Sequence, residues 1–291
     1  AYTVGICQLA QHEALDAATK GFIDALSEAL PGQVEFEEKN ASGDPNTCST
    51  IVNGFVSEGV DLILANATSP LQAAASATAD IPILGTSVTD YASALELDNW
   101  TGTVGGNISG TSDLAPLDGQ ADMLVELCPD AKNVGLIYCS AEANSKYQVD
   151  EMIKLLEAKG LNCTEFAFTD SNDVASVTQA ACDASDVIFI PTDNTAANNT
   201  EAIANVVLPS KTPVIAGEQG ICKGCGIATL SIDYYELGTI TGRMAAKILT
   251  GEADIATMPI EFAPNVTKMA NAANCEALGI TVPEGYEMLE G

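Results

Sequence analysis

The sequence predicts an α/β protein made of two doubly wound parallel-sheet lobes with a ligand cleft between them. Two observations carry that expectation. Short apolar runs alternate with stretches of helical period along most of the 291 residues, the pattern of strands joined by crossover helices. The second half then replays the first. Val4 to Val134 spans 130 positions, Val34 to Cys163 129, Asp61 to Asp186 125 and Ile81 to Thr212 131. Near-continuous apolar strands with helical crossovers mean parallel sheets covered on both faces. A hydrophobic content of 47% supplies the core, and the length suits about two domains.

Each element has a local reason. Thr3–Leu9 is an apolar strand, and the stripe of Ala14, Ala18, Phe22 and Leu26 makes a helix from about His12 to Leu30. Pro31 and Gly32 end it, and Gln33–Lys39 returns as a strand. A helix around Thr47–Glu58 leads to a strand at Leu62–Ala65, a helix at Pro70–Ala79 and a strand opening at Pro82–Gly85. The replay gives a strand at Val134–Ile137, a helix at Ser145–Lys159, a strand at Cys163–Phe168 and a helix at Asp173–Ala184. Strands follow at Asp186–Ile190 and Thr212–Ile215. A helix at Leu237–Leu249, a strand at Pro259–Phe262 and a short helix at Ala270–Leu278 complete the two sheets. The Gly-, Asn-, Ser- and Thr-rich segment Gly102–Ser112 reads as a linker between lobes. The expected division is 1–111 with 233–262 for the N-terminal lobe, and 112–232 with 263–291 for the C-terminal lobe.

Composition excludes several function classes. Forty acids against 11 Lys+Arg give a formal charge of −29, which repels phosphate backbones and rules against a nucleic-acid partner. A single histidine, His12, removes two-His zinc sites, and no metal or cofactor is expected. There is no GxSxG elbow, no GxxxxGK[ST] loop and no GxGxxG after a strand. The apolar runs fall short of the ~20 residues of a membrane span. Nine cysteines at wide spacings include one CxxC, Cys222 to Cys225, read as a local disulfide or two plain thiols. Cys7, Cys139 and Cys163 fall in or beside strands as small core residues. The start at Ala1, without Met, fits a removed leader or an engineered start.

The candidate site follows from the repeat, because ligands of open α/β sheets bind beyond the carboxyl ends of the strands. In lobe one those ends are Gln8 to His12, Asn66 to Ser69 and Thr86 to Asp90. In lobe two they are Tyr138 to Glu142, Pro191 to Asn194 and Gly217 to Gln219. Thr68 and Ser69 precede Pro70, which suits the first position of a helix. Hydroxyls beside free N–H groups there form a carboxylate site. Asp193, with Asn194, stands at the matching place in lobe two and suits an ammonium. The alternative for all four is that they cap their helices. His12 either bonds a ligand or caps a helix, and Gln8 flanks the same strand end. Asp90 is a cap, a loop residue or a ligand contact. Glu142, Asn144 and Ser145 lie between a strand and a helix, with Asn144 or Ser145 available as caps. Glu218 is a second ammonium partner, and Asp233 sits either in the site or at a hinge strand.

These residues resemble a family pattern. Gln8 to Asp16, Asn66-Ala67-Thr68-Ser69-Pro70, Ser87-Val88-Thr89-Asp90 and Gly106-Asn107-Ile108-Ser109-Gly110 are similar to segments of ABC-transporter substrate-binding proteins of the tryptophan/tyrosine type. Glu142 to Ser145, Pro191 to Asn194, Asp233 to Gly238, Asn271 and Ala277 to Pro283 extend the resemblance along the whole chain. Tyr91 departs from it, since the family tends to have Pro there, and nine cysteines is unusual. The resemblance implies a type I periplasmic-binding-protein fold with a hinge of about three crossings, and no enzymatic activity. The implied function is capture of an aromatic amino acid by a monomer that delivers it to ABC permease and ATPase subunits. An extracytoplasmic, secreted location, periplasmic or lipid-anchored, goes with it.

Three alternatives stand beside this reading. The same fold serves sugars and nucleosides. It also forms effector-sensing domains of transcription regulators, which would need a helix-turn-helix and positive charge. An α/β enzyme would use the cleft carboxylates, yet no nucleophile, metal site or phosphate loop accompanies them.

Overall fold

The computed structural model describes residues 1–290. β1 (Tyr2–Gln8), buried from Val4 onward, leads into α1 (Glu13–Ala29), which buries Ala14, Ala18, Phe22 and Leu26 on one stripe. β2 (Val34–Asn40) precedes α2 (Pro45–Glu58), which starts where Asp44 accepts from the Asn46 N–H and stops at left-handed Gly59. β3 (Leu62–Asn66) is buried throughout, and α3 (Thr68–Ala77), β4 (Ile83–Val88), α4 (Tyr91–Ala94) and β5 (Ile108–Ser112) follow.

The next stretch holds α5 (Leu117–Leu127), β6 (Asn133–Cys139), α6 (Ala143–Ala158), β7 (Asn162–Phe168), α7 (Val174–Ala184) and β8 (Val187–Ile190). It continues through α8 (Asn194–Ala197), α9 (Thr200–Val207), β9 (Val214–Ala216), α10 (Gln219–Cys225) and β10 (Ala228–Ile232). α11 (Tyr234–Leu249), β11 (Glu261–Phe262), β12 (Val266–Asn271), α12 (Ala272–Leu278) and β13 (Glu287–Leu289) close the chain.

The chain divides into two units. The first holds Ala1–Leu114 and Asp233–Pro264; the second holds Ala115–Ile232 and the residues from Asn265 onward. The first unit carries a parallel six-stranded sheet in the order β11-β5-β4-β3-β1-β2. The second carries a seven-stranded sheet in the order β13-β12-β10-β9-β8-β6-β7. Strands β2-β1-β3-β4-β5 and β7-β6-β8-β9-β10 thus share one order, as a duplicated unit requires.

Three expectations need correction. Gly102–Ser112 is not a linker, because Ile108–Ser112 is the buried strand β5, paired with β4. The chain leaves the first unit beyond it, at Leu114. The second sheet is not wholly parallel, since β12 runs antiparallel to β10. Ala270 and Asn271 consequently belong to a strand, and Asn271 caps α12 by accepting from the Asn274 N–H. Finally, α3 starts at Thr68 rather than Pro70. Proline is tolerated throughout the first turn, where N–H groups lack a carbonyl four residues back.

Each sheet is covered on both faces by an apolar cluster. Cys7, Val52, Phe55 and Ile63 lie on one side of the first sheet, and Val4, Phe22, Leu64 and Met244 on the other. Cys222 and Cys225 are free thiols buried in the second unit, as are Cys7 in the first and Cys139 in the second, while Cys163 is half-buried. Among the described residues no helix is long and apolar enough to cross a membrane.

Within the first unit α1 and α11 approach so closely that a Cβ on Gly238 would collide with the Ala18 carbonyl oxygen. Neither backbone can yield without shifting a helix. Gly238→Ala is therefore expected to lower stability by about 1–3 kcal/mol, read as a lower denaturation midpoint in urea.

Candidate functional site

Parallel register brings three strand ends of the first unit side by side, with Gln8 opposite Asn66 and Asn66 opposite Thr86. Each end is finished differently. Gln8 is satisfied internally: its Nε2 donates to the Ala10 carbonyl at 2.8 Å and to Asp16 Oδ1 at 2.7 Å, and its Oε1 accepts from Thr19 Oγ1 at 2.7 Å. Beside it lies a groove of about 290 Å³ lined by Asp16, Thr19, Lys20, Asp24 and Glu38 as well as Gln8. His12 is half-buried at the N-terminus of α1.

The other two ends are strained and unsatisfied. Ala67, after β3, has φ 112° and ψ 171°, a region that costs a non-glycine residue about 1–3 kcal/mol. Ser87, in β4, has φ 56°. Thr68 Oγ1 and Ser87 Oγ are both buried without a hydrogen-bond partner among the described residues. Each such group costs about 1–3 kcal/mol. Five buried polar atoms share this condition, and Asn66 Oδ1 is a third on the same strand ends; Gln120 Oε1 and Thr229 Oγ1 lie in the second unit. Two strained residues and three orphaned oxygens lie within 22 positions of chain, Asn66 to Ser87: two hydroxyls able to donate and one amide oxygen able to accept. Thr68 and Ser69 do not cap α3; they form its first turn, with Ser69 half-buried.

The scaffold beneath is hydrogen-bonded and closely packed. Thr86 and Thr111 hydroxyls lie 3.2 Å apart, and Thr111 bonds Thr241 of α11 at 2.8 Å. Tyr91 is fully buried; its hydroxyl donates to the Thr111 carbonyl at 2.8 Å and fills the space over Gly85 and Gly110, where a Cβ would strike it. Gly110 itself has φ 147°. The departure from proline at position 91 is thus a packing element under the strand ends. Asp90 caps α4, accepting from the Ser93 N–H at 2.8 Å and Oγ at 2.6 Å. Asp233 is exposed and caps α11 through the Glu236 N–H at 3.0 Å.

In the second unit five of the candidate residues meet in one buried network. Asp193 Oδ1 caps α8 through the Ala196 N–H at 2.8 Å, while Oδ2 accepts from the Cys139 N–H at 2.8 Å and Ser145 Oγ at 2.6 Å. Glu142 Oε1 accepts from the Asn194 backbone N–H and Nδ2, both at 2.9 Å, and from Asn144 Nδ2 at 3.3 Å. Its Oε2 accepts from the Thr195 N–H at 3.0 Å and Oγ1 at 2.9 Å. Glu218 stands apart as the cap of α10, accepting from the Gly220 and Ile221 N–H groups. Asp193 therefore fills the capping role its position allows. The sequence reading passed over Gln148, which accepts from the Thr192 N–H at 2.9 Å, and Thr195. It also passed over Ser87 as an individual residue, although the run Thr86 to Asp90 contains it.

Burial and the neighbouring Glu142 carboxylate push the Asp193 carboxyl well above its ordinary range, against the pull of its three donors. Glu142, Asp193 and Glu218 are all buried, at 6%, 1% and 2% exposure, and Glu142 and Asp193 accept from backbone N–H, amide and hydroxyl groups. The second unit's strand ends thus gather three buried acidic groups.

Comparison with known proteins bears on this geometry. Residues 3–289 match the family model described as ABC transporter substrate binding protein. A tyrosine-binding protein of Clostridioides difficile is 34% identical over 278 residues, covering 94% of this chain and 80% of that protein. The crystal structure of an ABC domain from Streptococcus pneumonia in complex with L-Trp has a TM-score of 0.94 at 32% identity, covering 99% of each chain. The ligand-free, open structure of a substrate-binding protein with adhesive properties from Clostridium difficile has a TM-score of 0.75 at 34% identity, covering 100% of this chain and 99% of that one. A 5-methylthioribose-binding protein from Thermotoga lettingae, at 15% identity and TM-score 0.64, shares the fold alone, that of type I periplasmic binding proteins.

The raised Asp193 carboxyl has a stability consequence. Folding favours its protonated form, so its contribution is lost as pH rises from the ordinary carboxylate range, about 4, through the raised folded value. Melting temperatures of wild type and Asp193→Asn measured across that window are expected to show the wild type falling relative to the variant.

Proposed function

The chain belongs to the ABC transporter substrate-binding protein family, and from that premise we propose that it captures an aromatic amino acid, Trp, Tyr or Phe, outside the membrane. The observation that carries the reading is the pair of buried, unpartnered hydroxyls, Thr68 Oγ1 and Ser87 Oγ, on strained strand ends of the first unit. A ligand carboxylate accepts from both, and from the first-turn N–H groups of α3. The ammonium is drawn to the acids at the second unit's strand ends, Glu142, Asp193 and Glu218. An α-amino acid carries both charges on one carbon, so it suits a site with donors on one side and carboxylates on the other. The relatives support the side chain: one is named for tyrosine and one holds L-Trp.

In this reading the two units close on the ligand, and the ligand favours closure only by its preference for the closed state. The closed protein then hands its cargo to permease and ATPase subunits from an extracytoplasmic position, periplasmic or lipid-anchored. It acts as a monomer and catalyses no reaction.

A thermal-shift screen against the twenty amino acids, common sugars and nucleosides tests the ligand class. At a hundredfold excess over Kd a ligand stabilises by about 2.7 kcal/mol, or a Tm rise of ~5 °C. The expected result is a shift confined to Trp, Tyr and Phe. A sugar or nucleoside hit would overturn the amino-acid reading while leaving the family in place.

Removing the orphaned hydroxyls separates binding from stability. Thr68→Val keeps the side chain's shape but deletes a buried hydroxyl that has no hydrogen-bond partner among the described residues. It is expected to weaken amino-acid binding about tenfold, ~1.4 kcal/mol, while leaving the ligand-free Tm unchanged or raised. Calorimetric titration and a melting curve on the same preparation check both halves, and Ser87→Ala should behave alike in binding.

A further inference from the structure

Asp113 lies outside every residue so far placed at the site, yet its bonds converge on it. It follows β5, is 3% exposed, and belongs to the last stretch of chain before the first unit ends at Leu114. Its Oδ1 accepts from Thr89 Oγ1 at 3.1 Å, and its Oδ2 accepts from the Tyr234 hydroxyl at 2.6 Å. Its own N–H donates to the Val88 carbonyl at 3.1 Å. Next to it, Ser112 Oγ donates to the Thr89 carbonyl at 2.8 Å and accepts from the Leu114 N–H at 3.2 Å. Four hydrogen bonds thus bind the segment Ser112–Leu114 to two places: the turn that follows strained Ser87, and the start of α11, where the chain has just re-entered the unit at Asp233.

A buried carboxylate bonded by two neutral hydroxyls is an expensive way to hold a turn. Burial raises the Asp113 carboxyl above its ordinary range, and an apolar residue would avoid that cost. What the carboxylate supplies is two acceptor oxygens pointing in different directions, one toward the turn and one toward α11. A turn that presents an orphaned hydroxyl at left-handed φ does not hold itself, since strain of that kind persists only when its surroundings over-determine it.

We propose that Asp113 is a positioning residue that fixes the Ser87–Asp90 segment for ligand and ties it, through Thr89 and Tyr234, to two of the three chain passages between the units. The inference rests on the reading of Ser87 as a ligand contact. Asp113 touches no ligand itself. Its carboxylate sets where Thr89 sits, Thr89 sets the turn, and the turn aims the Ser87 hydroxyl.

The experiment uses the whole chain as wild type, Asp113→Asn, Tyr234→Phe, Thr89→Val and the double variant Asp113→Asn/Tyr234→Phe. L-Trp and L-Tyr affinities are read by calorimetry, and amide hydrogen exchange is followed in the ligand-free proteins. Asp113→Asn is expected to raise Kd at least tenfold and to speed exchange at residues 86–90 by a similar factor, leaving exchange in β1 and β3 unchanged. Because Asp113 and Tyr234 share one bond, the double variant should bind no more weakly than Asp113→Asn alone. Unchanged Kd together with unchanged exchange at 86–90 would overturn the proposal. So would faster exchange spread over the whole first sheet with Kd intact, the mark of a purely structural acid. If Asp113→Asn does not fold, Tyr234→Phe and Thr89→Val each remove one arm and carry the same readouts. If wild type binds neither amino acid, the proposed ligand fails, and exchange at 86–90 still decides whether Asp113 holds the turn.

Discussion

The parallel register of β1, β3 and β4 is the constraint on which the first unit's site depends. It sets Gln8, Asn66 and Thr86 side by side at one edge of the sheet, where the chain turns out of the ladder within two residues and side-chain polar groups must find other partners. At Gln8 the problem is solved internally by Ala10, Asp16 and Thr19. At the neighbouring ends it is not solved. Ala67 and Ser87 hold strained backbone, and beside them hydroxyls are buried without a partner among the described residues. Such costs, of order 1–3 kcal/mol each, persist only where packing elsewhere exceeds them. That packing is visible in Tyr91 wedged over Gly85 and Gly110, and in the threonine chain from β4 through β5 to α11.

The second unit repeats the topology with opposite chemistry. Its strand ends carry Glu142, Asp193 and Glu218, each satisfied by backbone and side-chain donors. Hydrogen bonding is not charge neutralisation. A helix N-terminus returns about 0.3–1 kcal/mol to a nearby anion, against several kcal/mol for desolvating a carboxylate. The raised Asp193 carboxyl is the sign of that imbalance. A duplicated topology thus presents unpartnered hydroxyls in one unit and buried acids in the other, which is the basis for proposing a zwitterion as cargo.

Much of this architecture was legible in the residues because apolar strands repeat at nearly fixed spacing. Val4, Val34, Asp61 and Ile81 find their counterparts, and the two sheets share the corresponding strand order. The strand β5 escaped because Ile108-Ser109-Gly110-Thr111-Ser112 looks like a loop. Its polar residues are buried only because Thr111 bonds Thr241, Ser109 bonds the Met258 carbonyl, and Gly110 makes room for Tyr91. Those partners are up to 149 positions away, beyond any local pattern. At the site, the acids of the second unit were readable from their place after strands, as residues that either cap or bind. Ser87 and Asp113 were not singled out, since a positive φ and a convergence of hydrogen bonds leave no mark in composition or period.

The surface charge also bears on which solutes such a protein handles. A formal charge of −29 does little for the fold, because the ion pairs, such as Lys20–Asp24 and Lys146–Glu165, are largely exposed and pairs of that kind are worth about 0–1 kcal/mol. The apolar clusters hold the units together while the surface repels itself. For an approaching solute the long-range consequence depends on net charge, within a Debye length of about 8 Å at physiological salt. Phosphorylated or dicarboxylate solutes meet a barrier, whereas an aromatic amino acid has no net charge and meets none. Its two charges are resolved only at contact distance, as the proposed reading requires. An acidic exterior of this charge thus disfavours anionic solutes before any contact is made.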